Sequence, residues 1–180
     1  EKDFVKFLIL TFIVFIQIVY FILTRGNLEL ANDWQSVELT FSYSGYGFIR
    51  RGLMGEIATR LAELFHCEYS YSFISYFELF SLLIFTFAVL AFFLYVIKSS
   101  KPEEKNITFS VLLLFVILGG ISFYFCDWAE PDIFMILLTL VSMICVIKDR
   151  LLFLIPLNCA LCTMIHEGYP MMFFAIIMAM

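Results

Sequence analysis

Charged side chains are scarce in this sequence. Asp, Glu, Lys and Arg make up 15% of the 180 residues, whereas 63% of the residues are hydrophobic. Soluble domains usually have about a quarter charged residues and about half apolar ones. A soluble fold of this length could not bury 23 Phe side chains, whereas lipid solvates them at no cost. The composition therefore excludes an ordinary soluble domain and predicts a multi-pass protein of the cell membrane.

Three further absences limit which kind of membrane protein this sequence can form. The apolar runs lack the period-two alternation of a membrane barrel, so a helix bundle is the predicted form. The eleven Lys and Arg form no basic tract, so we expect no nucleic-acid partner. The five Cys are odd in number and show no disulfide framework. Cys159 and Cys162 have a CxxC spacing, but within an apolar run they are interpreted as small packing residues.

The apolar runs set the predicted architecture. A span across about 30 Å of hydrocarbon needs about 20 helical residues. This length predicts an all-α polytopic bundle of about six spans, forming one transmembrane domain over residues 1–180. The predicted spans are Phe4–Thr24, Tyr71–Ile97, Ile107–Phe125, Pro131–Ile147, Leu151–Ile165 and Tyr169 onward. The last run ends at AIIMAM without a polar flank, so we expect the chain to be the N-terminal part of a longer protein.

The positions of Lys and Arg predict a cytoplasmic N-terminus. Seven of the eleven then lie on the cytoplasmic side, and the two short outer loops carry none. The seven are Lys2, Lys6, Lys98, Lys101, Lys105, Lys148 and Arg150. In this orientation the loop at 25–70, the acidic turn DWAEPD and the turn HEGYP all face outward.

The long first outer loop, residues 25–70, contains a predicted interfacial helix. Its apolar positions recur at helical spacing and are Ile49, Leu53, Ile57, Leu61 and Leu64. The preceding SYSGYGFIRRG combines glycines with Arg50 and Arg51, which are candidates to bind a substrate phosphate. The alternative is that both arginines contact lipid headgroups beside the helix.

Carboxylates gather in the turn DWAEPD, where Asp127, Glu130 and Asp132 lie within six residues. Ionised acids near lipid are costly unless they are paired, hydrated or bound to a metal. With Asp33 and Glu167 they could bind Mg²⁺ or Mn²⁺, or one acid could serve as a general base. The alternative for each single acid is a helix cap, as Pro131 suits the first turn of a helix.

His166 and Glu167 are further candidates for substrate binding. A zinc protease would need a second His at position 170, which is Pro, so zinc hydrolysis is disfavoured. The alternative for this pair is a helix end before Gly168. Glu78, within the second predicted span, is expected to face protein or water rather than lipid.

This layout resembles the GT-C-fold membrane glycosyltransferases, which use polyprenyl-phosphate sugars, and more loosely the bacterial polysaccharide polymerases. The resemblance rests on the cytoplasmic N-terminus, the long first outer loop with Asp33, and the acidic DWAEPD turn. It implies glycosyl transfer at the extracytoplasmic face, with membrane lipids and a polyprenyl-phosphate sugar donor as partners. The resemblance implies catalytic or metal-binding roles for Asp33, Asp127, Glu130 and Asp132, and lipid-phosphate binding by Arg50 or Arg51.

Two other classes remain open from the sequence. In a proton- or cation-coupled transporter, or a flippase for lipid-linked glycans, the same acids would bind protons or cations. In a non-catalytic membrane scaffold, each acid would be a cap or an ion-pair partner. Product formation, transport, or neither would distinguish the three.

Overall fold

The computed structural model describes residues 2–25, 39–47, 52–118, 121 and 132–165. Over these residues the fold is all-helical and has no strand, which confirms the predicted all-α class. The described helices are α1 (Lys2–Arg25), α2 (Tyr43–Tyr46), α3 (Gly52–Leu64), α4 (Tyr71–Ser99), α5 (Lys105–Ile117), α6 (Asp132–Lys148) and α7 (Leu154–Ile165).

Two helices, α1 and α4, are long and apolar enough to cross a membrane by length and composition. They correspond to the predicted first and second spans. The apolar helices α5, α6 and α7 have 13, 17 and 12 residues, shorter than the roughly 20 that a perpendicular span needs. The predicted sixth span, from Tyr169 onward, lies outside the described residues.

The chain divides into two compact units. Unit 1 comprises Glu1–Glu29 and Leu82–Trp128, and unit 2 comprises Leu30–Ser81 and Ala129–Met180. The boundary between Ser81 and Leu82 falls inside α4, so this helix contributes its first part to unit 2 and the remainder to unit 1.

In unit 1, α1 and α5 pack side by side and run parallel. Near their starts the Lys6 ammonium donates to Asn106 Oδ1 at 2.7 Å, and Asp3 forms an ion pair with Lys105. Further along, Gln17 Nε2 donates to the Val116 carbonyl at 2.9 Å. Because the paired positions increase together along both helices, the two helices point the same way. First and third spans joined through one returning span would have this arrangement.

In unit 2, α6 and α7 form an antiparallel hairpin. Asn158 Nδ2 donates to Ser142 Oγ at 3.0 Å and to the Leu138 carbonyl at 3.3 Å. The Cys162 thiol lies 3.9 Å from the Met135 carbonyl, so partners further along α7 meet earlier positions of α6. Asn158 is 6% exposed and Ser142 is fully buried, which makes this a polar cluster inside an otherwise apolar helix pair. Hydrogen bonds of this kind commonly join helices in lipid.

The antiparallel pairing fixes which ends of the hairpin lie together. The connection between α6 and α7 includes Asp149 and Leu151, both with positive φ (48° and 55°), so the chain reverses tightly there. At the opposite end, Asp132 begins α6 and Ile165 ends α7. Stacking of Phe77 on Phe134, with ring centroids 6.1 Å apart, brings the first part of α4 to this same end.

Candidate functional site

Most of the predicted site residues lie outside the described part of the chain. These are Asp33, Arg50, Arg51, Asp127, Glu130, His166 and Glu167. For Asp132 the structure describes the backbone, which begins α6. The helices next to these residues in the sequence are described, and their ends show where the chain leads into the undescribed stretches. Residues 132 and 165, which border the acidic turn and the HEGYP turn, lie at one end of the α6–α7 hairpin.

A segment of the first loop, residues 39–47, packs directly on α3, and we call it the docked segment. A Cβ atom at Gly55 would lie 1.9 Å from the Phe41 carbonyl oxygen and 2.8 Å from that of Leu39. No side chain fits at that distance, so glycine is required where the two backbones meet. The rest of the packed face of α3 is small or flexible and comprises Gly52, Met54, Ala58 and Ala62.

A helix, α3, is present where the sequence predicted the interfacial helix. Two positions of the predicted apolar stripe, Ile57 and Leu64, are exposed. Ile57 is 40% exposed and Leu64 is 69% exposed, whereas Ala58 and Ala62 are buried. The helix therefore has a small-residue face toward the protein and an apolar stripe that is partly exposed.

Glu56 holds the docked segment by its carboxylate. One oxygen accepts the Ser44 backbone N–H and the Ser44 hydroxyl, both at 2.9 Å, and the other accepts Arg60 Nε at 2.8 Å. These contacts lower the pKa of Glu56 below its ordinary value, with the Ser44 backbone N–H as the main cause, followed by the Ser44 hydroxyl. Glu56 therefore stays ionised in neutral solution and keeps accepting these hydrogen bonds.

The docked segment contains the short helix α2, next to the Ser44 contact with Glu56. Ser42 caps α2 by accepting the Gly45 backbone N–H at 3.2 Å. Gly47 then ends α2 with φ of +74°, a conformation that favours glycine. The chain thus leaves α2 in a defined direction just before the Phe48 to Arg51 sequence that contains the predicted phosphate-binding arginines.

Tyr69 anchors the other end of the docked segment. Its hydroxyl donates to the Leu39 carbonyl. Burial is the main reason that the pKa of Tyr69 is raised; a hydrogen bond with Thr59 opposes the rise and the charge of Glu78 adds to it. The phenol therefore remains protonated, as a donor to Leu39 must be.

Glu78 is the buried acid of this region. Its side chain is 2% exposed, two turns into α4, which confirms the expectation that it faces away from lipid. It follows Phe77, whose ring stacks on Phe134 near the start of α6, so Glu78 lies at that end of unit 2. We call this end, with the docked segment, the acidic end of unit 2.

Sequence reasoning missed the roles of Glu56 and Tyr69. The sequence showed Glu56 as a partner of Arg60 at i and i+4, which the structure contains at 2.8 Å. Nothing in the local pattern indicated that Glu56 also accepts from Ser44, twelve positions away. The Gly55-Glu56 pair inside a helix was the one available signal, because glycine within a helix often marks close backbone approach.

Metal and thiol chemistry find no support within the described ranges. No three His, Cys, Asp or Glu residues cluster there in a way that could hold a metal ion. The side chains of Asp127, Glu130 and Asp132 lie outside those ranges, so the Mg²⁺ or Mn²⁺ site stays a prediction. The four cysteines that the structure describes form no disulfide: Cys67, Cys145, Cys159 and Cys162.

Comparison with known protein families, with curated proteins and with solved structures gives no significant match. Support for a function therefore comes from the residues and their arrangement.

Proposed function

We propose that this chain is a multi-pass membrane protein that transfers a sugar from a polyprenyl-phosphate-linked donor at the extracytoplasmic face. The observation that best supports this proposal is the antiparallel α6–α7 hairpin. Asp132, the last residue of DWAEPD, and Ile165, which precedes HEGYP, lie at the same end of this hairpin, and the proposal puts the acids of both turns in one site there. The docked segment, which leads into Arg50 and Arg51 in the sequence, is anchored to Tyr69, two residues before α4 begins in unit 2.

Insertion in the membrane is supported by the surface of α1. This helix has 24 residues, which at about 1.5 Å per residue is about 36 Å, enough to cross the hydrocarbon region. Phe12 and Phe15 are 63% and 61% exposed, as expected of side chains that face lipid.

The orientation is supported by unit 1. The parallel pairing of α1 and α5, and the short connection from α4 to α5, bring basic residues to a single end of this unit. They are Lys2, Lys6, Lys98, Lys101 and Lys105. Such an end favours the cytoplasmic side, which supports the proposed cytoplasmic N-terminus.

In the proposed reaction, a carboxylate of Asp33, Asp127 or Glu130 takes the proton of the acceptor hydroxyl. The acceptor oxygen forms a bond to the anomeric carbon of the sugar, and the bond from that carbon to the phosphate oxygen breaks. Arg50 and Arg51 bind the lipid phosphate as its negative charge grows. Mg²⁺ or Mn²⁺ on Asp127, Glu130 and Asp132 would neutralise the same charge, and His166 and Glu167 would contact the sugar.

Sugar transfer in membrane vesicles tests the proposal. Vesicles are supplied with radiolabelled polyprenyl-phosphate sugar and extracted for glycosylated acceptor. Single Asp33→Asn, Asp127→Asn and Glu130→Gln variants should each lose at least about a hundredfold in rate, the usual contribution of a general base, if that residue is the base. Asp149→Asn is the matched control, because it changes an acid in the turn at the other end of the hairpin. Full transfer by all three variants would contradict the proposal.

A proton- or cation-coupled transporter is the second candidate, and Glu78 favours it. Buried acids within apolar helices commonly mark ion pathways. A transporter would move substrate into vesicles without a covalent product, and Glu78→Gln would remove its dependence on a pH gradient. A transferase would form product in sealed and in leaky vesicles alike.

A further inference from the structure

A shallow groove runs along one face of α5 in unit 1. Its volume is about 340 Å³. The residues that line it are Asn106, Ile107, Ser110, Val111 and Leu114. The groove extends about 12 Å along the helix, at about 1.5 Å per residue. Its two polar side chains, Asn106 and Ser110, lie in the first half, and only apolar side chains line about the last 6 Å beyond Ser110. The groove is therefore more polar at its start and apolar toward its end, as a phospholipid is.

A cation stands at the polar end of this groove. The Lys6 ammonium donates to Asn106 Oδ1 at 2.7 Å and lies 5.7 Å from the ring centroid of Phe109. An ammonium has three N–H donors, so the contact with Asn106 leaves others for a ligand. The neighbouring carboxylate of Asp3 is ion-paired with Lys105. Lys6 therefore supplies positive charge at the mouth of the groove.

We propose that this groove binds one anionic phospholipid. Its phosphate contacts Lys6, Asn106 and Ser110, and one acyl chain lies along Ile107, Val111 and Leu114. The other lysines at this end of unit 1 attract anionic headgroups of the cytoplasmic leaflet, while the polar and apolar halves of the groove match the two halves of the lipid. This inference rests on the membrane insertion and orientation proposed above, but not on the transferase reaction.

Native mass spectrometry of the full chain in detergent tests the site. Phosphatidylglycerol and phosphatidylcholine of equal chain length are titrated separately, and lipid-bound protein is counted. The wild type should retain one phosphatidylglycerol more tightly than phosphatidylcholine. Lys6→Gln should weaken that binding about fivefold, from about 1 kcal/mol for one basic residue near an anionic headgroup. Lys98→Gln is the matched control, because it removes an exposed lysine charge near the end of α4 and leaves the contact between Lys6 and Asn106 in place.

The acyl-chain contact is tested separately by Val111→Trp, which fills the apolar part of the groove. This variant should lose bound phosphatidylglycerol even though its charges are unchanged, and glycerol phosphate should not compete with the lipid. Equal retention of the two lipids, equal binding by Lys6→Gln and wild type, or a dimer whose formation excludes lipid would overturn the inference.

The outcome is distinguishable from failure of the proposed function. Carbonate extraction reports membrane insertion, and the vesicle assay reports sugar transfer. Lys6→Gln should remain in the membrane pellet and transfer sugar normally. If wild-type protein were extracted by carbonate, the membrane proposal itself would be wrong. If it stayed in the pellet but showed no lipid preference, only the lipid site would be wrong.

Discussion

At the residue scale, single contacts attach the first loop to the rest of unit 2. Gly55 lets two backbones touch, Glu56 accepts the Ser44 N–H and hydroxyl, and Tyr69 donates to the Leu39 carbonyl. Each contact joins residues at least twelve positions apart. Sequence patterns do not identify the partners in such pairs, so the only signal available in advance was a glycine inside a helix, Gly55.

Gly55→Ala should release the docked segment. Its Cβ would sit 1.9 Å from the Phe41 carbonyl oxygen, so the backbone must move, at a cost of about 1–3 kcal/mol in unfolding free energy. Thermal unfolding in detergent and protease sensitivity near position 40 measure the effect. Gly45→Ala is the matched control, since its Cβ would meet only the Ser42 hydroxyl at 3.2 Å. Equal melting temperatures for the two variants would show that the close approach is absent.

The attachment of the docked segment should weaken in acid. The folded protein lowers the pKa of Glu56 from its ordinary 4.5, so its contribution is present above that value and lost as pH falls through the lowered pKa. The protection factor of the Ser44 amide, measured by hydrogen exchange and corrected for the intrinsic rate, should fall over this acidic range. Glu56→Gln should lower protection at neutral pH and remove the pH dependence. Protection that is constant across the acidic range would contradict this assignment.

At the scale of whole helices, the apolar run lengths predicted much of the fold. The predicted spans Tyr71–Ile97 and Pro131–Ile147 differ from α4 and α6 by at most two residues at either end. Charged or turn-forming residues flank these runs, which makes their limits visible in the sequence. The packed face of α3 was less visible, because glycine and alanine contribute little to a hydrophobic pattern.

The α6–α7 hairpin depends on a buried amide. Asn158→Leu removes its hydrogen bonds to Ser142 and Leu138, and should destabilise the protein by about 1 kcal/mol, as is typical for polar contacts between helices in lipid. Unfolding by sodium dodecyl sulfate, followed by circular dichroism, measures the change. Thr163→Val is the matched control, because the Thr163 hydroxyl bonds only to the Cys159 carbonyl of its own helix. If the Asn158→Leu protein were as stable as this control, the hydrogen bonds of Asn158 would not stabilise the hairpin.

At the scale of the whole molecule, helix directions connect the fold to the proposed function. α1 and α5 run parallel in unit 1, and α6 and α7 run antiparallel in unit 2. Within unit 1, the Lys-rich end fits the charge pattern that the sequence predicted for the cytoplasmic side of a membrane. The sequence predicts this orientation from charge and run length. It could not predict which helices touch, because helix pairing depends on a few long-range polar contacts.

Labelling of single cysteines from outside intact cells tests the central claim most directly. In a background with the five native cysteines replaced by Ser, an impermeant maleimide is applied to Ala129→Cys, Gly168→Cys, Glu103→Cys and Asp149→Cys proteins. The proposed topology predicts labelling at positions 129 and 168, and at 103 and 149 only after the membrane is permeabilised. Labelling of 129 and 168 from opposite sides would contradict a shared outer site for the two turns.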